Sequence, residues 1–113
     1  MTDPKGVLES MKWIQKDLVY ETEYRFHPER KWRADYMVRV QHRQCLVEIE
    51  GLGYGANWGR HQRPAGYEGD CEKYNEAQML GWTVFRFTYP MVKNGIMFDV
   101  LCRYFEEGSG DGD

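Results

Sequence analysis

The sequence predicts an α/β fold in which one mixed sheet is flanked by helices. Apolar residues recur at helical spacing in three segments of the 113-residue chain, and apolar and polar residues alternate in the segments between them. The resulting order, αβββαβα, contains no internal repeat. We expect residues 1–107 to form a single domain, because a chain of this length can build one core. Residues 108–113, rich in glycine and acid, are expected to be a disordered acidic tail.

The first predicted element is an amphipathic helix. Asp3 can cap it and Pro4 suits its first turn. Four apolar residues then recur at helical spacing: Val7, Met11, Ile14 and Leu18. These features predict a helix over residues 4–19. Residues 22–26 alternate weakly and are predicted to be a short strand that ends at a proline.

The next two strands are predicted to form a hairpin. Over residues 32–40, the apolar face carries Trp32, Ala34, Tyr36, Val38 and Val40, and the polar face carries Arg33, Asp35, Met37 and Arg39. Residues 41–44 are the predicted turn. The strand that follows, 45–50, alternates strictly, so that Leu46, Glu48 and Glu50 share one face and Cys45, Val47 and Ile49 share the other.

The second half of the chain is predicted to contain two helices and one strand. A helix from residue 67 or 70 to residue 80, stopped by Gly81, has an apolar face made of Cys71, Tyr74, Ala77 and Leu80. A strand over 82–88 follows, with Phe85 and Phe87 on one side and Val84 and Arg86 on the other. The last helix is predicted to open at Tyr89 and Pro90, with an apolar stripe made of Met97, Phe98, Leu101, Tyr104 and Phe105. The cysteines are predicted to be buried free thiols, because their number is odd and they are widely spaced: Cys45, Cys71 and Cys102.

Charge is distributed unevenly, although the formal net charge is only −3. Residues 25–63 hold eight lysines and arginines against four acids, and they include all three histidines. A basic surround about a few carboxylates is what an enzyme acting on a polyanion through a metal would need. An ordinary charge-mixed surface is the alternative interpretation.

Two carboxylates on one face of an apolar strand are the most unusual feature of the sequence. Glu48 and Glu50 lie about 7 Å apart along the strand, and their repulsion and desolvation are costly unless a cation meets them. A divalent metal would offset that cost. Residues 51–66, which follow directly, carry five glycines. They also carry aromatic and cationic side chains able to stack on bases or bind phosphate. A long structural loop is the alternative for this segment.

This arrangement resembles the PD-(D/E)XK nuclease superfamily. Asp35 matches the acid of the first motif, and Glu48-Ile49-Glu50 matches the second, with Ala34 at the proline position and Glu50 at the lysine position. Within the superfamily the chain is most similar to small phage nucleases and very-short-patch-repair-type endonucleases. The grounds are Glu48 to Gly51 followed by Gly59-Arg60-His61, the helix that starts at Asp70, and the segment from Gly81 to Thr88. The resemblance covers residues 5–105 and implies a restriction-endonuclease-like αβββαβ core with an added C-terminal helix.

The resemblance implies a magnesium- or manganese-dependent deoxyribonuclease that hydrolyses DNA phosphodiester bonds, including those of branched or otherwise structured DNA. Mg²⁺ or Mn²⁺ would be held by Asp35, Glu48 and the Ile49 carbonyl. Glu50 would bind a second ion or accept a proton, and Lys73 would supply the missing cation. Lys73 has an alternative, as a solvated helix lysine paired with Glu76 or Asp70. The residues expected to bind nucleic acid are Arg33, Trp58, Arg60, His61 and Arg63.

Other functions compete with the nuclease. A nucleic-acid-binding module of the same fold, without catalysis, would fit the substituted lysine. A partner-binding protein with a merely acidic surface, and a zinc nuclease using His61 and Asn75, are further alternatives. Cutting both strands would require a homodimer, because one such domain has one active site. The sequence lacks an apolar run of membrane-spanning length and a secretory signal, which predicts a cytoplasmic protein without membrane contact.

Overall fold

A computed structural model describes residues 3–51 and 64–109 and contains one four-stranded mixed sheet with helices on both faces. The elements are α1 (Pro4–Met11), β1 (Leu18–Arg25), β2 (Arg33–Val40), β3 (Arg43–Glu50), α2 (Pro64–Met79), β4 (Val84–Thr88), α3 (Tyr89–Lys93) and α4 (Ile96–Ser109). The predicted order is confirmed, except that the last predicted helix is divided in two. No described helix has both the length and the apolar character needed to span a bilayer.

The strands lie in the order β1-β2-β3-β4. The first two neighbouring pairs are antiparallel, and β3 and β4 are parallel. Parallel neighbours cannot be joined by a tight turn, and the connection from β3 to β4 accordingly includes α2. The pair Val40↔Arg43 closes the β2–β3 hairpin over two residues, with Gln41 at φ 55. The observed turn is therefore shorter than the predicted turn over 41–44.

The buried side chains of the described residues form two clusters, one on each face of the sheet. The larger cluster lies between the sheet and helices α1, α3 and α4, and its most buried members include Leu8, Met11, Val38, Val47, Met97, Leu101 and Phe105. The smaller cluster lies on the α2 side and contains Phe26, Ala34, Met37, Leu46 and Ala77. The predicted alternation of β3 is confirmed, because Cys45 and Val47 belong to the larger cluster and Leu46 to the smaller.

The predicted helix over 4–19 is wrong in its second half. Helix α1 ends at Met11, and Leu18 begins strand β1 by pairing with Val40. Ile14, predicted on the apolar face, is 54% exposed. The helical spacing of four apolar residues is a local signal, and the pairing of eight residues with β2 outweighs it.

Four smaller details of the prediction also differ from the structure. Cys71 is exposed, whereas Cys45 and Cys102 are buried free thiols as predicted. Leu80, predicted on the apolar face of its helix, is 45% exposed. Gly95, at φ +91, separates α3 from α4, because this backbone conformation is not helical and suits glycine. Helix α4 continues to Ser109, past the predicted start of the tail, and residues 110–113 lie outside the described residues.

In β1 and β2, the alternation of side chains between the two sheet faces is interrupted at the level of Asp35. Tyr36 packs against the larger cluster and Ala34 belongs to the smaller one, although residues two apart in a regular strand share a face. The register omits only the pair Glu23 with Asp35, and Glu23 has φ 50. The predicted single face from Trp32 to Val40 is therefore wrong at this point, because the left-handed residue interrupts the pleat.

Replacing Glu23 with glycine is expected to raise the free energy of unfolding by roughly 0.5–1 kcal/mol, because only glycine adopts this conformation without a Cβ penalty. Glu23 is exposed, so the substitution removes little packing. Urea denaturation of Glu23→Gly beside Glu23→Ala, which keeps the Cβ, measures the difference. Equal stability of the two variants would contradict the left-handed backbone at this position.

Candidate functional site

The candidate site lies where the paired register between β2 and β3 ends, just beyond Tyr36↔Val47. Two carboxylates there bind backbone N–H groups of the opposite strand. The Asp35 N–H donates to Glu48 Oε2 at 3.1 Å, and the Ile49 N–H donates to Asp35 Oδ2 at 2.7 Å. The two reciprocal bonds anchor each carboxylate to the backbone of the other strand, and the Asp35 charge is close enough to raise the pKa of Glu48.

Glu48 is the buried acid of the site, with 8% of the residue exposed. Lys73 Nζ lies 3.3 Å from Oε1 and 3.4 Å from Oε2, and the Tyr74 hydroxyl donates to Oε1 at 3.2 Å. Burial raises the pKa of the Glu48 carboxyl, and the neighbouring Asp35 charge raises it further, while Lys73 opposes both. Glu48 therefore depends on a nearby cation for its charged form.

Tyr74 links Glu48 to Glu50. Its hydroxyl lies 3.5 Å from Glu50 Oε2, and the Arg86 guanidinium lies 4.5 Å from its ring centroid. Burial, together with the negative charges of Glu48 and Glu50, raises the Tyr74 pKa, so the phenol remains a hydrogen-bond donor. Arg86 Nε donates to Glu50 Oε2 at 3.0 Å, and this bond raises the Arg86 pKa. Glu50 is thus engaged in an ion pair.

The turn between β1 and β2 fixes the helix that carries Lys73. His27 Nδ1 accepts hydrogen bonds from the backbone N–H groups of Glu29 and Arg30, at 3.1 and 2.9 Å. This pattern places the ring proton on Nε2, which lies 3.0 Å from Glu76 Oε1. Arg30 also pairs with Glu72 at 3.0 Å. The two contacts tie one face of α2 to the turn.

The structure brings together four of the predicted site residues: Asp35, Glu48, Ile49 and Lys73. Glu50 lies beside them through Tyr74. The alternative for Lys73, a solvated lysine paired with Glu76 or Asp70, is wrong, because only 17% of its side chain is exposed and its partner is Glu48.

One of the five residues predicted to bind nucleic acid lies in the described part of the chain. Arg33 is exposed, two residues before Asp35. Trp58, Arg60, His61 and Arg63 lie outside the described residues.

Sequence reasoning missed the roles of two residues. Tyr74 was expected only as part of an apolar helix face, yet its hydroxyl binds Glu48. Arg86 was expected only to alternate with Phe85 and Phe87. In the parallel register Arg86 is the partner of Glu48 and reaches Glu50. The signal available in the sequence was the alternation of β4, which turns Arg86 to the sheet face that carries Glu48 and Glu50.

The donor set suits a hard divalent cation. Among residues 3–51 and 64–109, no group of three or more His, Cys, Asp and Glu side chains is close enough to hold a metal. Asp35 and Glu48 are instead a pair of carboxylates. Mg²⁺ is commonly bound by one or two carboxylates, with water and substrate phosphates completing its shell. The pair therefore has the number and type of protein ligands that Mg²⁺ commonly uses.

Comparison of the chain with family models, with curated proteins and with solved structures found no match.

Proposed function

We propose that the protein is a metal-dependent endonuclease that hydrolyses DNA phosphodiester bonds, built on a restriction-endonuclease-like core of the PD-(D/E)XK type. The observation that carries the proposal is the reciprocal bonding of the Asp35 and Glu48 carboxylates to each other's strands, with Lys73 Nζ 3.3 Å from Glu48. The order of the elements and the position of the two acids on neighbouring strands support it.

Asp35 and Glu48 would hold Mg²⁺ or Mn²⁺ together with the Ile49 carbonyl. When bound, the ion would supply Lewis-acid activation of the phosphate and of the attacking water. The protein supplies orientation. The Ile49 N–H holds one Asp35 oxygen, and the Asp35 N–H and the Tyr74 hydroxyl hold the two Glu48 oxygens. Fixed ligands avoid reorganisation during the reaction.

Lys73 takes the part that the family lysine would play at position 50. Its ammonium group approaches Glu48 from α2 rather than from β3, and it is close enough to neutralise charge that develops on a phosphate beside the carboxylates. Glu50 as a ligand of a second ion or as a proton acceptor stays a prediction. That role requires Glu50 to leave its ion pair with Arg86.

A nucleic-acid-binding module without catalysis is the second candidate. It is favoured by the charge compensation of the cluster, because Lys73 already balances Glu48 and Arg86 already balances Glu50. Such a module would bind DNA equally well with and without divalent cations.

The test is a cleavage panel with supercoiled plasmid, a four-way junction and single-stranded DNA. Each is incubated with Mg²⁺, Mn²⁺ or a chelator, and binding in the chelator is measured in parallel. We expect cleavage with Mg²⁺ or Mn²⁺ and none with the chelator. Binding without cleavage on every substrate would favour the second candidate, and absence of both would overturn the two together. A mass measurement on the DNA complex tests the homodimer that double-strand cutting would require.

A further inference from the structure

We infer that the outer end of the β1–β2 hairpin binds the phosphate backbone of nucleic acid through Arg25, Lys31 and Arg33, which we call the hairpin cations. The inference rests on the proposed function for the reaction that the bound strand undergoes. The inference identifies the surface that holds the substrate. This surface would contact the phosphate backbone and would not read the base sequence. All three side chains are exposed.

The first observation is a like-charge pair across two strands. Arg25 and Arg33 are direct partners in the β1–β2 register. Side chains of such partners lie on the same face, and equal charges at these positions destabilise the sheet. Arg25 Nε also donates to the Arg30 carbonyl at 3.4 Å, which keeps the first guanidinium at the hairpin end. A bound anion between the two arginines would remove the repulsion.

The second observation is that the hairpin cations lack acidic partners. Other cations around the site are paired, as Arg30 is with Glu72 and Lys73 with Glu48. Arg25, Lys31 and Arg33 form no ion pair with any residue of the described ranges. Positive charge without an acidic partner, clustered on one exposed end of a sheet, is the electrostatic footprint expected of a surface that binds a polyanion.

The third observation is the distance to the carboxylates. Arg33 precedes Asp35 by two residues, which is about 7 Å of extended strand. A nucleic-acid strand carries one charge per roughly 3.4 Å of helix axis, so a phosphate at the hairpin cations would lie within a few nucleotides of one at Asp35. Lysine and arginine contacts to phosphate position a substrate but carry no sequence information.

The experiment measures DNA binding in a chelator, by fluorescence anisotropy, between about 50 and 200 mM salt. It compares the parent protein with the triple variant Arg25→Gln, Lys31→Gln, Arg33→Gln and with the single variants Arg33→Gln and Arg39→Gln. Arg39 is the matched control, because it is also an exposed arginine of β2 and loses the same charge. Two duplexes of unrelated sequence are used throughout.

We expect the triple variant to bind at least 10-fold more weakly at the lowest salt, and its salt slope to fall by about 2 to 3, at about 0.9 per lost contact. The loss should be equal on both duplexes. Arg33→Gln should lower the slope by about 1 and leave Tm unchanged or raised, because it removes the like-charge pair. Arg39→Gln should leave the slope unchanged.

An unchanged slope in the triple variant would overturn the inference. So would an equal change in Arg33→Gln and Arg39→Gln, which would indicate an effect of net charge alone, or a loss confined to one of the two duplexes. Failure of the proposed function is separate, since a parent protein that binds through the hairpin cations but does not cleave leaves this inference intact. A parent protein that cleaves while the triple variant keeps its slope overturns this inference only.

Discussion

Asp35→Asn protein is expected to cleave DNA about 10³-fold more slowly than the parent, or slower still, without losing stability at neutral pH. Several kcal/mol of transition-state stabilisation depend on a charged metal ligand, and about 4 kcal/mol corresponds to 10³-fold. The asparagine carbonyl oxygen can still accept the Ile49 N–H, which donates to Asp35 Oδ2 at 2.7 Å. The substitution therefore separates the charge of Asp35 from its structural hydrogen bond.

The stability of Asp35→Asn should depend on pH in a defined direction. In the parent, burial and the Asp35 charge raise the pKa of Glu48 above its unfolded value. A carboxyl of this kind supports folding most at low pH, and its contribution declines as pH rises through the folded pKa. Removal of the Asp35 charge lowers that folded pKa. As the pH rises from about 4 to about 7, the free energy of unfolding of the variant should therefore increase relative to that of the parent.

Urea denaturation at the two pH values and a cleavage time course measure both effects. Asp17→Asn is the control, because Asp17 is an exposed acid that accepts one side-chain hydrogen bond, from Gln41 at 3.1 Å. It should change neither cleavage nor pH dependence. If Asp35→Asn kept normal cleavage, Asp35 would have only the structural role of binding the Ile49 N–H.

Lys73→Met protein is expected to lose about 10²- to 10³-fold in cleavage rate, since a preorganised charge beside the reacting phosphate contributes about this much. It should also be less stable by about 1–3 kcal/mol at neutral pH, because Glu48 would then either keep a buried carboxylate without its cation or take up a proton, and both cost free energy. The pKa of Glu48 should rise further, so the loss of stability should be larger at pH 8 than at pH 4.

Lys12→Met provides the matched control for Lys73→Met. Lys12 also pairs with a glutamate, Glu9, at 3.3 Å, but 42% and 55% of the two side chains are exposed. An exposed pair of this kind is worth roughly 0–1 kcal/mol. Lys73→Arg should recover part of the cleavage rate, because it restores the charge. Equal stability losses in Lys12→Met and Lys73→Met would contradict the buried Lys73–Glu48 pair.

The sequence alone determined the order of the elements and the two faces of β3. The period of two is intrinsic to an extended chain, so the alternation from Cys45 to Glu50 placed Glu48 opposite the larger core without knowledge of any neighbour. The same pattern placed Phe85 and Phe87 on the side of that core. Asp35 was predicted on the polar face of its strand and singled out by its match to the first motif, and the structure places it beside Glu48.

Only the tertiary structure decided which groups meet those acids and where the local patterns fail. Lys73 and Tyr74 lie some 25 residues from Glu48 in the chain, and the packing of α2 on the sheet brings them together. The early end of α1 follows from the pairing of Leu18 with Val40, and the face switch at Asp35 follows from the left-handed backbone of Glu23, opposite it in the register. The periodicity of apolar residues indicates which face of a segment is buried, averaged over that segment. The partners of a buried charge depend on non-local contacts, which are decided when the elements pack.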